Sequence, residues 1–122
     1  MIIGKKYKFD SAHYIPNHPK CGKIHGHTFH VTVELEGLVQ DDGMVLDFHK
    51  LDTLMSNELN FLDHLLLNDR FPLPTIELLA RELFISLNLG LQFEDIRINS
   101  ITVQEGDGGY AEVNSAGEKE ES

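Results

Sequence analysis

Cysteine is almost absent from this 122-residue chain, which contains one, and no apolar run approaches the roughly 20 residues of a membrane-spanning helix. A single cysteine excludes a framework of intrachain disulfides, so a reducing compartment such as the cytoplasm is expected. Residues 1–6 lack the apolar stretch of a secretory signal peptide, which favours the same location. The sequence therefore predicts a cytoplasmic protein that does not enter the membrane.

Basic residues are also scarce. The chain has 10 lysines and arginines against 20 aspartates and glutamates, and its formal net charge is −10. A nucleic-acid partner is therefore not expected, because phosphate backbones attract a basic face. Half of the basic residues nevertheless fall in the first 23 positions, namely Lys5, Lys6, Lys8, Lys20 and Lys23. This group could receive a small anionic ligand, although lysines on an edge strand explain the first three equally well.

The apolar patterns predict six regular elements in the order β-β-α-α-β-β. Alternation predicts strands, and recurrence at helical spacing predicts helices, with Thr75 as an N-cap and Gly90 as a stop. The predicted strands are 3–9, 25–37, 96–103 and 110–113, the helices are 48–62 and 76–90, and a bulge is expected at Asn99–Ser100. Residues 1–113 are expected to form one domain, and residues 114–122 an acidic, disordered tail.

This order is typical of an α+β fold in which a four-stranded antiparallel sheet carries two helices on one face. The other face must meet water or another subunit, and its open edges invite strand pairing. An oligomer that closes such sheets into a β-barrel would satisfy both requirements.

Three histidines, His13, His25 and His27, flank the only cysteine. In a strand at 25–37, His25 and His27 point to one face, about 6–7 Å apart at Cβ. His13 could join them from a neighbouring strand. Three imidazoles with one open position are typical of catalytic zinc, although iron, nickel and copper also accept imidazole. The alternative is three unrelated polar histidines.

Cys21 lies between Lys20 and Lys23 in a segment rich in proline and glycine, which argues against its burial. Nearby ammonium groups and a metal would both favour the thiolate, so Cys21 is a candidate nucleophile or base. The alternative is a small buried hydrophobe.

Carboxylates mark two further places. Asp63 precedes His64 after the first helix, where it can orient the imidazole, although adjacent side chains usually diverge and a solvated helix end is the alternative. Glu105 shares the face of Ile101 and Val103, where a carboxylate could accept two hydrogen bonds from the N–C–N edge of a guanine-type ring. If the strand has already ended, Glu105 is instead a turn residue. The remaining histidines, His18, His30 and His49, are interpreted as surface residues.

Taken in order and at their spacing, these motifs resemble the 6-pyruvoyltetrahydropterin synthase / 6-carboxytetrahydropterin synthase family, the tunnelling-fold pterin synthases. The resemblance covers residues 3–113 and rests on the segments Phe9–His13, Cys21–His27, Leu46–Phe48, Leu62–His64, Pro74–Glu77 and Val103–Glu105. It implies the tunnelling fold (T-fold) and a homohexamer in which trimers close into β-barrels, with active sites at subunit interfaces.

The resemblance also implies a zinc-dependent carbon–oxygen lyase that acts on 7,8-dihydroneopterin triphosphate. In this family the three histidines would bind zinc and Cys21 would act as the general base. Asp63 and His64 would complete a proton relay with Cys21. Glu105 would anchor the 2-amino and N3 edge of the pterin. No motif fixes the residues that bind the triphosphate, for which Lys23 and its neighbour Lys20 are candidates.

The spacing within the central motif bears on the product. Three residues separate Cys21 from His25, which is similar to the bacterial and archaeal carboxy-forming type, called QueD, rather than to the animal pyruvoyl-forming type. The implied products are 6-carboxy-5,6,7,8-tetrahydropterin, acetaldehyde and triphosphate, on a route to queuosine or archaeosine. The alternatives are a 6-pyruvoyltetrahydropterin synthase, a non-catalytic pterin- or metal-binding homologue, and a generic zinc hydrolase.

Overall fold

The chain folds into one antiparallel sheet with two helices on one of its faces, as the element order predicts. A computed structural model describes residues 1–115, and residues 116–122 of the predicted tail lie outside the described residues. The elements are β1 (Ile2–His13), β2 (His25–Gly37), α1 (Phe48–Leu62), a 3-10 helix (Leu67–Asp69), α2 (Ile76–Gly90), β3 (Ile96–Glu105) and β4 (Tyr110–Asn114). The strands lie in the spatial order β1-β2-β3-β4. The 3-10 helix was not predicted, and β4 takes Asn114 from the predicted tail.

The helices cover the apolar face of the sheet. On β2, every second residue from Phe29 to Leu35 is fully buried. These side chains share one core with Leu51 of α1 and Leu83 of α2. Burying each large aliphatic or aromatic side chain contributes about 1.5–3 kcal/mol. The register of β2 is therefore strongly specified, because a slip of one residue would turn this whole set outwards.

Side-chain caps set the starts of both helices. Asp47 accepts a hydrogen bond from the backbone N–H of His49 at the start of α1. Thr75, predicted as a cap, accepts one from the N–H of Leu78 at the start of α2. Such caps satisfy amide groups that have no partner within the helix.

A bulge in β3 explains the change in its apolar pattern. The pairing with β2 shifts register so that the ladder skips Asn99. Ile98 and Ile101 therefore both face the core, although they lie an odd number of residues apart. The predicted bulge is confirmed.

At one end of the sheet, β1 pairs with the start of β2 on one side and with the segment after α1 on the other. β1 extends beyond its predicted end to His13, so its last residues pair with the start of β2. After α1 the chain turns back beside β1, where the N–H of Ala12 donates to the carbonyl of Leu65 at 2.9 Å. Ala12 also forms a parallel bridge with Leu66. This pairing places residues 63–64 at the edge of the sheet.

The opposite face of the sheet is polar in the single chain, with Lys6, Lys8 and His30 exposed. Closure of such sheets into a barrel stays a prediction. None of the helices within residues 1–115 combines the length and the apolar character that crossing a membrane requires.

Candidate active site

The three histidines meet at one end of the sheet, on the face that the helices cover. The strand register places His13 opposite His25, and Ser11 opposite His27. The centroids of the three imidazole rings lie between 4.6 and 5.4 Å apart. One nitrogen of each ring lies within 4.8 Å of the other two, a spacing that one metal ion can bridge. His13 is almost fully buried, whereas His25 and His27 are partly exposed.

Backbone carbonyls fix the tautomers of two of these rings. The Nδ1 atom of His13 lies 2.8 Å from the carbonyl oxygen of Pro74, and that of His25 lies 2.7 Å from the carbonyl oxygen of Lys23. A carbonyl can only accept, so each Nδ1 carries a proton, and in the neutral form of either ring the lone pair is on Nε2. Histidine ligands of metal ions are commonly oriented in this way.

The buried Nε2 atom of His13 is left without a hydrogen-bond partner among residues 1–115. An orphan nitrogen in a protein interior costs free energy unless something binds it. Burial also lowers the pKa of His13, while the Pro74 carbonyl acts in the opposite direction. The ring is therefore neutral at neutral pH, which is the form that binds a metal. The donor set fits a zinc ion held by three histidines.

Glu105 lies beside this histidine group. It is the last residue of β3 and pairs with Phe29 of β2, so it is a strand residue rather than a turn residue. Its Oε2 atom lies 3.5 Å from Nε2 of His27, and its Oε1 atom lies 4.0 Å from Nε2 of His13. A carboxylate here can accept from a ligand's N–H groups or contact a metal ion directly.

Asp63 and His64 touch each other, contrary to the expectation that adjacent side chains diverge. The Nδ1 atom of His64 lies 2.7 Å from Oδ2 of Asp63. The backbone of His64 is left-handed, with φ = 57°, a conformation that is uncommon outside glycine. The backbone N–H of Asp10 is the main cause that lowers the pKa of Asp63, and Asp63 in turn raises the pKa of His64.

An open cleft of about 460 Å³ is lined by His27 and by His64. His64 of the Asp63–His64 pair and His27 of the histidine group therefore border the same open cleft. The cleft lies at the edge where residues 63–66 run beside β1.

Cys21 is placed by its own loop, residues 14–24. Its carbonyl accepts from the N–H of Ile15 at 2.7 Å, and its N–H donates to Nδ1 of His18 at 2.8 Å. The same Nδ1 accepts from the N–H of Lys20 at 3.2 Å. The loop is tight, since a Cβ atom on Gly22 would lie 2.4 Å from the carbonyl oxygen of His18.

His18 is exposed, as the sequence predicts, but its role as an acceptor for two backbone N–H groups is not predicted. No sequence signal marks a histidine that accepts from backbone amides. Within residues 1–115, neither group of candidate metal ligands includes Cys21. The carbonyl of Lys23 accepts from Nδ1 of His25, and the side chain of Lys23 is exposed.

Solved structures identify the fold. The chain superimposes on 6-pyruvoyl tetrahydropterin synthase of Caenorhabditis elegans with a TM-score of 0.84 and 23% identity, covering 94% of this chain and 95% of the other. For the synthase of Plasmodium falciparum the TM-score is 0.73 at 20% identity, with 93% and 96% covered. These similarities define the protein as a T-fold protein.

Sequence comparison defines the family. A family model described as 6-pyruvoyl tetrahydropterin synthase matches residues 2–116, and the chain belongs to that family. A relative from Archaeoglobus fulgidus, provisionally named 6-carboxy-5,6,7,8-tetrahydropterin synthase, is 42% identical over 99 residues, which are 80% of this chain and 86% of the relative. A Synechocystis protein of the same name is 39% identical, with 70% and 74% covered. A Pyrococcus furiosus protein named dihydroneopterin monophosphate aldolase is 33% identical, with 80% and 83% covered.

The family and the names of these relatives indicate a lyase of the tetrahydropterin synthase type with a small pterin substrate.

Proposed function

We propose that this protein is a zinc-dependent 6-carboxy-5,6,7,8-tetrahydropterin synthase of the cytoplasm. It converts 7,8-dihydroneopterin triphosphate and water to 6-carboxy-5,6,7,8-tetrahydropterin, acetaldehyde and triphosphate, for queuosine-type 7-deazaguanine synthesis. The observation that carries the proposal is the histidine group in which Nε2 of His13 has no hydrogen-bond partner among residues 1–115. The Archaeoglobus and Synechocystis relatives support the carboxy product.

His13, His25 and His27 would hold the zinc ion through their Nε2 atoms. When bound, zinc supplies a Lewis acid that makes nearby hydroxyl groups of a substrate more acidic. The backbone carbonyls that hold two of the rings pre-orient the ligands, so little rearrangement is needed on binding.

Cys21 would take and return protons as the general base. Asp63 and His64 would complete the relay: the carboxylate holds Nδ1 of His64, which leaves Nε2 to exchange a proton with substrate or thiol. The raised pKa of His64 keeps the ring able to deliver a proton near neutral pH. His64 and His27 line one cleft, which supports a shared substrate.

Glu105 would anchor the pterin by accepting two hydrogen bonds from its 2-amino and N3 edge. Its place next to the histidine group would hold the side chain of the substrate towards the metal site. Lys23, with Lys20 nearby, would meet the triphosphate. A homohexamer built from two trimers would cover the polar outer face and bring Cys21 loops to neighbouring sites.

The test is mass spectrometry of the products that zinc-loaded protein makes from 7,8-dihydroneopterin triphosphate without added reductant. We expect 6-carboxytetrahydropterin and acetaldehyde in equal amounts. A 6-pyruvoyl product would contradict the carboxy assignment. Unconsumed substrate in the presence of bound zinc would favour a non-catalytic pterin-binding homologue.

One relative, from Pyrococcus furiosus, is named dihydroneopterin monophosphate aldolase. Dihydroneopterin monophosphate is therefore tested separately in the same assay. We expect the triphosphate to be consumed faster than the monophosphate. Faster cleavage of the monophosphate would replace the proposed reaction by that of an aldolase.

A further inference from the structure

The backbone of Asp10 forms hydrogen bonds with both members of the Asp63–His64 pair. Its N–H donates to Oδ1 of Asp63 at 2.8 Å. Its carbonyl accepts from the N–H of His64 at 2.6 Å. These two bonds hold the segment after α1 against the edge of β1, and the second one closes on the residue with the left-handed backbone. The position of His64 thus depends on this point of β1.

The side chain of Asp10 is aimed at the same pair. One of its carboxylate oxygens, an oxygen of Asp63 and a ring nitrogen of His64 all lie within 4.8 Å of one another. Thr28, directly opposite on β2, donates its hydroxyl to Oδ1 of Asp10. A carboxylate fixed by a neighbouring strand loses less side-chain freedom when it acts on the imidazole, so its orientation is maintained at little entropic cost.

We propose that Asp10 is a positioning residue of the relay, a second carboxylate that holds the His64 imidazole in place and favours its protonated form. The inference rests on the proposed function of His64 but concerns a residue outside the relay of Cys21, Asp63 and His64. Asp63 orients Nδ1 by a direct hydrogen bond, whereas Asp10 acts through space and through the backbone clamp.

The charges around His64 agree with this role. Asp63 is the main cause that raises the pKa of His64, and the negative charge of Asp10 adds to it. The other titratable group that lines the same cleft is His27 of β2. Two carboxylates therefore face the ring, one from its own segment and one from β1.

The experiment is a titration of His64 by NMR in the zinc-loaded protein, with the His64→Gln variant used to assign its ring signals. In Asp10→Asn the shape and the backbone bonds are kept and the charge is lost. We expect the His64 midpoint to move to lower pH. We also expect kcat with dihydroneopterin triphosphate to fall about tenfold while KM stays within about twofold, because positioning affects proton transfer more than binding.

Two further variants make the result specific. Asp41→Asn removes the same charge from an exposed turn at the opposite end of the sheet, so its His64 midpoint should match that of the unmodified protein. Asp10→Glu retains the charge and should return the midpoint towards its original position. Zinc content and Tm are measured for each variant to show that the fold persists.

The proposal is overturned if Asp10→Asn leaves the His64 midpoint unchanged, or if Asp41→Asn shifts it equally. It is also overturned if Asp10→Glu behaves like Asp10→Asn. The titration needs no substrate, so its outcome does not depend on the proposed function. The proposed function fails separately, if the unmodified protein makes no 6-carboxytetrahydropterin.

Discussion

The imidazole of His64 is bound by the carboxylate of the residue that precedes it in the chain, with 2.7 Å between Nδ1 of His64 and Oδ2 of Asp63. The contact occurs where the backbone of His64 is left-handed and where its N–H is held by β1. It is therefore a property of the fold at this edge rather than of two neighbouring residues alone.

This pair makes the free energy of unfolding depend on pH in two ranges, one for each residue. The pKa of His64 is raised above its ordinary value of 6.5, so its stabilising contribution is fully present below 6.5 and is lost as pH rises through the higher folded value. The pKa of Asp63 is lowered from 3.8, so its contribution is present above 3.8 and is lost as pH falls through the lower folded value.

We therefore expect His64→Gln to lower Tm at about pH 6 and to have much less effect at about pH 9, where the imidazole is neutral in both states. The effect should be small, because the pair is exposed to solvent. Thermal unfolding at the two pH values measures it, with His49→Gln on the exposed surface of α1 as the control. A Tm difference that does not change with pH would contradict the ion pair.

Loss of the thiol tests the general base. Cys21→Ser keeps the size of the side chain, and we expect kcat to fall by about 100-fold or more while zinc content and Tm stay the same. Steady-state kinetics with metal analysis of the same sample measures both. If zinc is lost together with activity, Cys21 is a ligand and not a base.

Glu105 has two possible partners, the pterin and the metal, and one variant separates them. Glu105→Gln should weaken substrate binding by roughly 1.5–3 kcal/mol, or about 10- to 150-fold, because a charge-assisted pair of hydrogen bonds is lost. Zinc content should not change. The matched control is Glu112→Gln on the exposed face of β4. A loss of zinc in Glu105→Gln would assign the carboxylate to the metal instead.

His18 should control the conformation of the Cys21 loop. His18→Ala removes the acceptor for two backbone N–H groups, each bond being worth about 1 kcal/mol, so that the loss is about 2 kcal/mol or about 30-fold in an equilibrium. We expect alkylation of Cys21, the only thiol in the chain, to become about 30-fold faster as the loop opens more often. His18→Asn keeps an acceptor oxygen and should react at nearly the original rate. Equal rates in all three proteins would contradict the role of His18.

Much of the fold could be predicted because local patterns determine it. The alternation of buried and exposed residues in β2 identifies its inner face, and Thr75 marks the start of α2. The change of parity near Asn99 predicts the bulge, because only an extra residue lets both halves of β3 face the core. The His-x-His spacing places His25 and His27 on one face without any knowledge of the rest of the chain.

The remainder depends on contacts between distant segments. The carbonyl that orients His13 belongs to Pro74, 61 residues away, and no sequence pattern identifies it. The approach of Glu105 to the histidines follows from the pairing of β2 with β3. The Asp63–His64 contact requires a left-handed residue and the edge of β1, neither of which side-chain propensities predict.

The proposed function depends above all on a catalytic zinc ion held by His13, His25 and His27. The most direct measurement is turnover of dihydroneopterin triphosphate as zinc is added back to chelated protein, together with the zinc content per chain. We predict that activity rises in proportion to zinc up to one ion per chain. His25→Ala should abolish both, whereas His30→Ala, on the opposite face of the same strand, should change neither. Full turnover by metal-free protein or by His25→Ala would contradict the catalytic role of zinc at these histidines.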